Sequence, residues 1–546
     1  LSNGTPEAGR RSFWAGFAAQ PIPVGDMDKN SRADGAVARP SLESIDSPPT
    51  GAAQIIRDRL NANLPIIIFL GFYFVATVLG NFIYHTSWGA NWARSSTIEG
   101  SDFSKLPMMK TLGYWILLLM PFLIGPPLAI FCARVSQGLL SKIAFSALEF
   151  RRSDYLLITG TAYAYCYSQF RRSNVSEIRS RGTIDVFASV AERFEIVETL
   201  GFWPLMVMKS VLVFLAVYSL VRAMRSREWF WIGAFLINLI VLSEMLIWLN
   251  MKWPVLVYYV ALVICIFLFS QRHPFRNTTI AVVALGVMYL VISVMVLRFA
   301  EAEIVSRQLA AGASNNRTGE LVTQQPQRLS TETSDTRTRS SPGTTKDVLA
   351  KPPEPVLAPI GSSEYAARVG QQAVTRAPPL LMNALNRMAL PYPFYYQVFT
   401  EEGPICGTLI DRILRKTNPC HPSNLIYERI YGQGAFSGKA TAPAAVHISG
   451  YALGGWTGAL IATILTSIVI GLFMGLWPAA RTSTLAATIF VMGGYSAYFF
   501  SQLPFEGPIV YDHGILWWAA LLLGYFGYRV FVLPLLSKAV SAPIGK

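Results

Sequence analysis

The feature that most constrains this chain is the recurrence of long apolar runs with scarcely a charge in them. They occupy residues 62–84, 111–133, 200–221, 229–250, 254–271, 278–298, 449–477, 484–503 and 513–537. Each approaches or exceeds the roughly 20 residues a helix needs to cross a hydrocarbon layer. Inside that layer a segment must satisfy its own backbone hydrogen bonds, which a helix does unaided. A further stretch, 155–170 (YLLITGTAYAYCYSQF), is shorter and more polar but is counted with them. Pro126–Pro127 is expected to break the second span. The predicted fold is all-α: a polytopic membrane helix bundle of about ten spans with one large external loop. Only 14% of residues are charged, against roughly a quarter in soluble domains, which excludes a soluble enzyme on a single anchor.

Charge placement gives orientation. Arg222, Arg225, Arg227, Arg272, Arg276, Arg481, Lys538 and Lys546 fall in one set of connections. The opposite short connections hold Lys252, with Glu506 and Asp512. The positive-inside bias puts the first set in the cytoplasm and the long segment 299–448 outside. The segment 171–198 is then external too, although Arg171, Arg172, Arg179 and Arg181 run against the bias. The net charge of +14 thus reads as an orientation signal, and no nucleic acid is expected. The chain divides into a disordered cytoplasmic tail (1–61, without a visible cleavable signal), a first helical block (62–298), a largely disordered external insert (299–375), a folded external loop (376–448), a final helical block (449–537) and a cytoplasmic tail (538–546).

The external loop carries the chemistry-bearing residues. From about 376 onward aromatic, aliphatic and basic residues mix, with helical spacing at 380–388 and 405–416. Arg387, Arg412, Arg415, Lys416 and Arg429, with Lys252 from the bundle, form a cationic set suited to a diphosphate, since a guanidinium offers a planar fork to phosphate oxygens. Glu401, Glu402, Asp411 and Glu428 lie among them, so a solvated, charge-balanced loop is the plainer alternative. His447 stands at the external start of the next span, as a general base or as a hydrogen-bonded cap. Gly450, Gly454, Gly458, Gly471 and Gly475 read as a small-residue packing face. Cys132, Cys166 and Cys265 read as apolar filler, whereas Cys406 and Cys420 share the loop and can pair in an oxidising compartment. No metal-ligand spacing is present, and no cofactor is expected.

Three segments, LNRMALPYPFYY (385–396), TAPAAVHISGYALGGWTG (441–458) and NMKWP (250–254), together with the dominant external loop, resemble the Wzy-type O-antigen and oligosaccharide repeat-unit polymerases and the related O-antigen ligases. His447 and Gly458 match the His-x10-Gly spacing of the ligases. Lys252 stands where that family more often has Arg, and the polar insert 306–362 is unusually long for it. The resemblance implies a metal-independent membrane glycosyltransferase of the bacterial inner membrane. It would move a glycan from undecaprenyl diphosphate onto a lipid-linked repeat unit, with a chain-length regulator and a flippase as companions. It assigns Arg387, Arg412 and Arg429 as diphosphate clamps and Lys252, Arg415 and Lys416 as further cations. His447 becomes base or acceptor-positioning group, with Glu401 and Glu402 as other bases. Tyr392, Tyr395, Tyr396 and Trp456 stack on sugars or anchor at the interface. An O-antigen ligase, a transporter of lipid-linked sugars and an envelope scaffold remain as alternatives.

Overall fold

A computed structural model of the chain describes residues 51–89, 106–140, 142–143, 145–180, 186–270, 273–295, 388–407, 420–431, 441–511 and 514–534. Among these residues there is no β-strand. The principal helices in chain order are α1 Gly51–Ala62, α2 Leu64–Tyr84, α3 Leu112–Leu140, α4 Arg152–Arg172, α5 Val186–Leu200, α6 Phe202–Ser226, α7 Trp229–Trp248, α8 Lys252–Phe269, α9 Pro274–Met295, α10 Pro391–Glu401, α11 Pro422–Tyr431, α12 Val446–Gly475, α13 Thr484–Phe500 and α14 Ile515–Val532. Of the smaller unit, Leu1–Gln54, only the first residues of α1 are described. The tail expected to be disordered through residue 61 is therefore helical in its last stretch, where QIIRDRL supplies good helix formers.

Among the described residues seven helices, α2, α3, α6, α7, α9, α12 and α14, are long and apolar enough to cross a membrane, so the chain has the make-up of a multi-pass membrane protein. The runs at 254–271 and 484–503 form shorter apolar helices, Trp253–Phe269 and Thr484–Phe500. The polar stretch 155–170 lies within α4 and falls outside the apolar set. Two of its tyrosines hydrogen-bond neighbouring helices: the Tyr155 hydroxyl donates to the Leu215 carbonyl at 3.1 Å, and that of Tyr163 to Asn238 at 2.9 Å. The break expected at Pro126–Pro127 does not occur. α3 runs on through Pro121, Pro126 and Pro127, as membrane helices can when neighbours support the freed carbonyls. Helices α3 and α12 pack along their length: a Cβ at Gly471 would press on Ala129 and Cys132, and one at Gly475 on Ser136.

Two ends of the bundle are distinguished by their polar contacts. At one end Arg152 pairs with Glu228 at 2.6 Å, Arg222 with Glu149, and Arg481 with Asp58 at 3.6 Å. Arg57 reaches the Ser270 carbonyl there at 2.9 Å, and Arg529 the Glu149 carbonyl at 3.2 Å. Of the connections assigned to one side in the sequence, those holding Arg222 and Arg481 thus meet at one end, while Arg272, Lys538 and Lys546 lie outside the described residues. At the other end Ser173, just past α4, donates to the Thr199 carbonyl at 3.3 Å, and Phe202 packs on Tyr511 and Trp517. Helix α4 therefore runs from the basic end to the opposite one.

Candidate functional site

Helix α12 is not one straight rod. Gly454 (φ −156°, ψ 21°) and Gly455 (φ 58°, ψ −146°) leave helical geometry, and a side chain would be strained at the latter. A Cβ at Gly450 would lie 2.5 Å from the Gly458 carbonyl oxygen and 2.8 Å from the Ala462 Cβ. Residues 450 and 458 in a continuous helix would stand about 12 Å apart along the axis at ~1.5 Å per residue. The segment is a helical hairpin instead: a short arm ending near Leu453, an elbow at Gly454–Gly455, and a long arm from Trp456 to Gly475 of about 30 Å. The expected single span 449–477 is corrected accordingly. The glycines do serve close packing, but Gly450 and Gly458 face each other across the elbow, and only Gly471 and Gly475 face another helix.

The elbow sits high and the start of the short arm sits deep. Gly113, near the start of α3, lies against Trp456, while Val446 packs in one cluster with Ile66, Phe69, Ala129 and Ala462. His447 is therefore not at the external rim. It is fully buried, with Nε2 3.0 Å from the Tyr73 hydroxyl, which also donates to the Leu118 carbonyl at 2.9 Å. Tyr73 is about 14 Å from the Leu64 end of α2 and about 16 Å from the Tyr84 end at ~1.5 Å per residue, close to mid-depth. Tyr73 has a single hydrogen; with it committed to Leu118, the imidazole must donate from Nε2. The lone pair then rests on Nδ1, which is buried and has no hydrogen-bonding partner among the described residues.

Above this lies the part of the loop that folds. Helix α10 is buried from Pro391 to Phe399 against α2, α3 and α12. Asn81 donates to the Ala389 carbonyl at 3.2 Å and accepts from Tyr114. The Tyr392 hydroxyl donates to the Tyr114 carbonyl at 2.5 Å, that of Tyr395 to the Ala442 carbonyl at 3.1 Å, and the Met108 amide to Gln397 at 3.1 Å. Burial pushes the Tyr392 and Tyr395 phenols up, keeping both neutral donors. Cys406 and Cys420 form a disulfide that ties the end of α10 to the start of α11, and Arg429 of α11 pairs with Glu402 at 3.0 Å.

The residues singled out in the sequence divide as follows. Arg387, Arg412, Arg415 and Lys416 lie outside the described residues, as do most of the helical spacings 380–388 and 405–416; Ile405–Cys406 is turn. Lys252 opens α8, at the end opposite the one where α7 starts beside Glu228. Arg429 and Glu402 hold each other in an exposed pair, and Glu401 accepts from Gln397. Tyr392 and Tyr395 are packing elements without an open ring face, and Tyr396 stacks on Tyr451 at 5.7 Å. Trp456, at the elbow, is the exposed member of that aromatic set. Tyr73, Asn81 and Tyr114 were missed. Asn81 was legible as a polar side chain inside an apolar run, which in a span needs a built partner. Among the described residues no cluster of His, Cys, Asp or Glu could hold a metal ion. No protein-family model, curated protein or solved structure matches the chain.

Proposed function

We propose that this protein is an integral-membrane oligosaccharide repeat-unit polymerase of about ten crossings, transferring a glycan from a lipid diphosphate onto a lipid-linked repeat unit outside the bacterial cytoplasmic membrane. The observation that carries the reading is the Cys406–Cys420 disulfide, which ties together a loop segment seated in the bundle end opposite the arginine-rich one. Disulfides persist in oxidising compartments, and arginine-rich connections favour the cytoplasm, so the two marks agree on orientation. Leaving-group charge develops on a diphosphate, which fixed cations stabilise without a metal. Arg387, Arg412, Arg415, Lys416, Arg429 and Lys252 are the proposed cations, all carried by the loop or by a helix start at that end. His447 is too deep to meet a lipid-linked hydroxyl in this arrangement, which favours its positioning role over base catalysis. Deletion in the native host with gel display of surface glycan tests the reading. A polymerase mutant yields single repeat units, and Arg387→Ala and Arg429→Ala reproduce that pattern while the protein stays inserted. Full-length glycan from both variants overturns it.

A second reading is a transporter of lipid-linked saccharide, favoured by one observation: a broken helix with a buried histidine at mid-depth is the architecture in which transporters build their sites. Its mutant retains lipid-linked units on the inner face instead of displaying single units outside.

A further inference from the structure

We propose that the arginine-rich end of the bundle holds a binding site for a phosphate-bearing anion, separate from the loop site and independent of the polymerase reading. A cavity of about 430 Å³ opens there, lined by Arg151, Arg152, Arg222 and Arg529 with Glu149 and Glu228, over Trp231 and Phe150. That volume lies in the range of small-molecule sites, which is roughly 300–1,000 Å³. Four guanidinium groups face two carboxylates, and both carboxylates are engaged. Glu149 accepts from the Thr484 amide at 2.7 Å, from Ser483 at 3.3 Å and from Arg222, while Glu228 accepts from Arg152. A third carboxylate, Asp154, accepts from Tyr525 at 2.9 Å, and Arg529 lies over the same tyrosine ring, so four guanidinium groups stand against three carboxylates and the surroundings keep one formal positive charge in excess.

Three of the cations are pre-set by aromatic rings. Arg222 lies 5.8 Å from the ring of Trp231, Arg152 5.5 Å from Phe230 and Arg529 5.8 Å from Tyr525. Stacking fixes the guanidinium planes, so an incoming anion meets forks already oriented and loses little side-chain freedom on binding. The Nε of Arg222 is buried with no hydrogen-bonding partner, a donor that an anionic oxygen would satisfy. Ordinary ion-pair networks at a helix end balance their charges; this one has cations in excess around an open volume. Basic pockets between helices on the cytoplasmic side are a recognised form of phospholipid headgroup site, and a soluble diphosphate presents the same chemistry.

The full-length protein is reconstituted in nanodiscs of phosphatidylcholine alone, of phosphatidylcholine with phosphatidylglycerol, and of phosphatidylcholine with inorganic pyrophosphate added. Thermal unfolding and native mass spectrometry report stabilisation and retention. The wild type is expected to be stabilised by one of the two phosphate sources. Phosphatidylglycerol as the effective one identifies a headgroup, and pyrophosphate a soluble anion. Arg151→Ala with Arg152→Ala should weaken retention at least tenfold, about what loss of a charge-assisted bond produces. Both positions are exposed, so the bundle stays folded. Arg151→Lys with Arg152→Lys keeps the charge but removes the fork, and is expected to retain an intermediate effect. A wild type indifferent to both sources, or a double-alanine variant that responds like it, overturns the proposal.

Discussion

The hairpin in α12 makes a prediction that a straight helix cannot share. Gly450→Ala puts a Cβ 2.5 Å from the Gly458 oxygen, and Gly458→Ala puts one 2.2 Å from the Gly450 oxygen. Ordinary contact begins about 1 Å further out, so either change forces the arms apart, and overpacking of this kind costs about 1–3 kcal/mol. Gly455→Ala meets no atom within 4 Å but must hold φ at 58°, again at about 1–3 kcal/mol. Gly454→Ala meets no atom and has a negative φ, so its cost should be near zero. In an unbroken helix every one of these substitutions would instead gain about 1 kcal/mol of helix propensity. The measurement is the unfolding midpoint of the four single variants of the full-length protein in one detergent. Losses at 450, 455 and 458 with indifference at 454 support the elbow. Stabilisation by all four, or Gly454→Ala as the most damaging, refutes the reasoning.

Three other outcomes follow from named contacts. Tyr73→Phe leaves His447 Nε2 without its buried partner and the Leu118 carbonyl without its donor, and should lower stability by about 1–3 kcal/mol in the same assay. Cys406→Ser with Cys420→Ser opens a short loop whose closure contributes about 3 kcal/mol, read as earlier thermal unfolding of the full-length protein under non-reducing conditions. Glu149→Gln removes the carboxylate held by Arg222 and the Thr484 amide and should cost about 1–3 kcal/mol, read as earlier thermal unfolding.

What the sequence disclosed was set by solvent. Runs such as 229–250 and 278–298 become α7 and α9 because lipid demands a long apolar helix wherever a segment crosses. The arginines of 222–227 and 481 gathered at one end because connections separated by an even number of crossings fall on the same side, and there they meet Glu149 and Asp58. Hydropathy says nothing, however, about direction within a run. The stretch 446–475 is apolar throughout, so a hairpin and a rod score alike; the adjacent pair Gly454–Gly455 is the available signal, but Gly454 also fits the every-fourth-residue packing stripe with Gly450 and Gly458, which masks it. Pro126–Pro127 failed in the opposite sense, because the rule that proline breaks helices comes from water, where freed carbonyls are solvated rather than supported by neighbours. The Tyr73–His447 contact joins residues 374 apart in sequence, and no local pattern announces such a pair.

Placing His447 at depth changes what the loop segment has to do. A lone imidazole in hydrocarbon is costly, and here it is offset by Tyr73 and Leu118 on one side of the ring only. The short arm that carries it is held between the long arm, through Gly450 and Gly458, and α10, through the Tyr396–Tyr451 stack and the Thr400–Tyr451 hydrogen bond at 2.9 Å. Helix α10 is therefore in direct contact with the arm that bears the buried ring. On the proposed reading, a lipid-linked substrate arriving at the loop would meet the exposed Arg429–Glu402 pair first and the histidine only if the arms part. The disulfide fixes where α10 ends, and Gly450 and Gly458 set how closely the two arms approach.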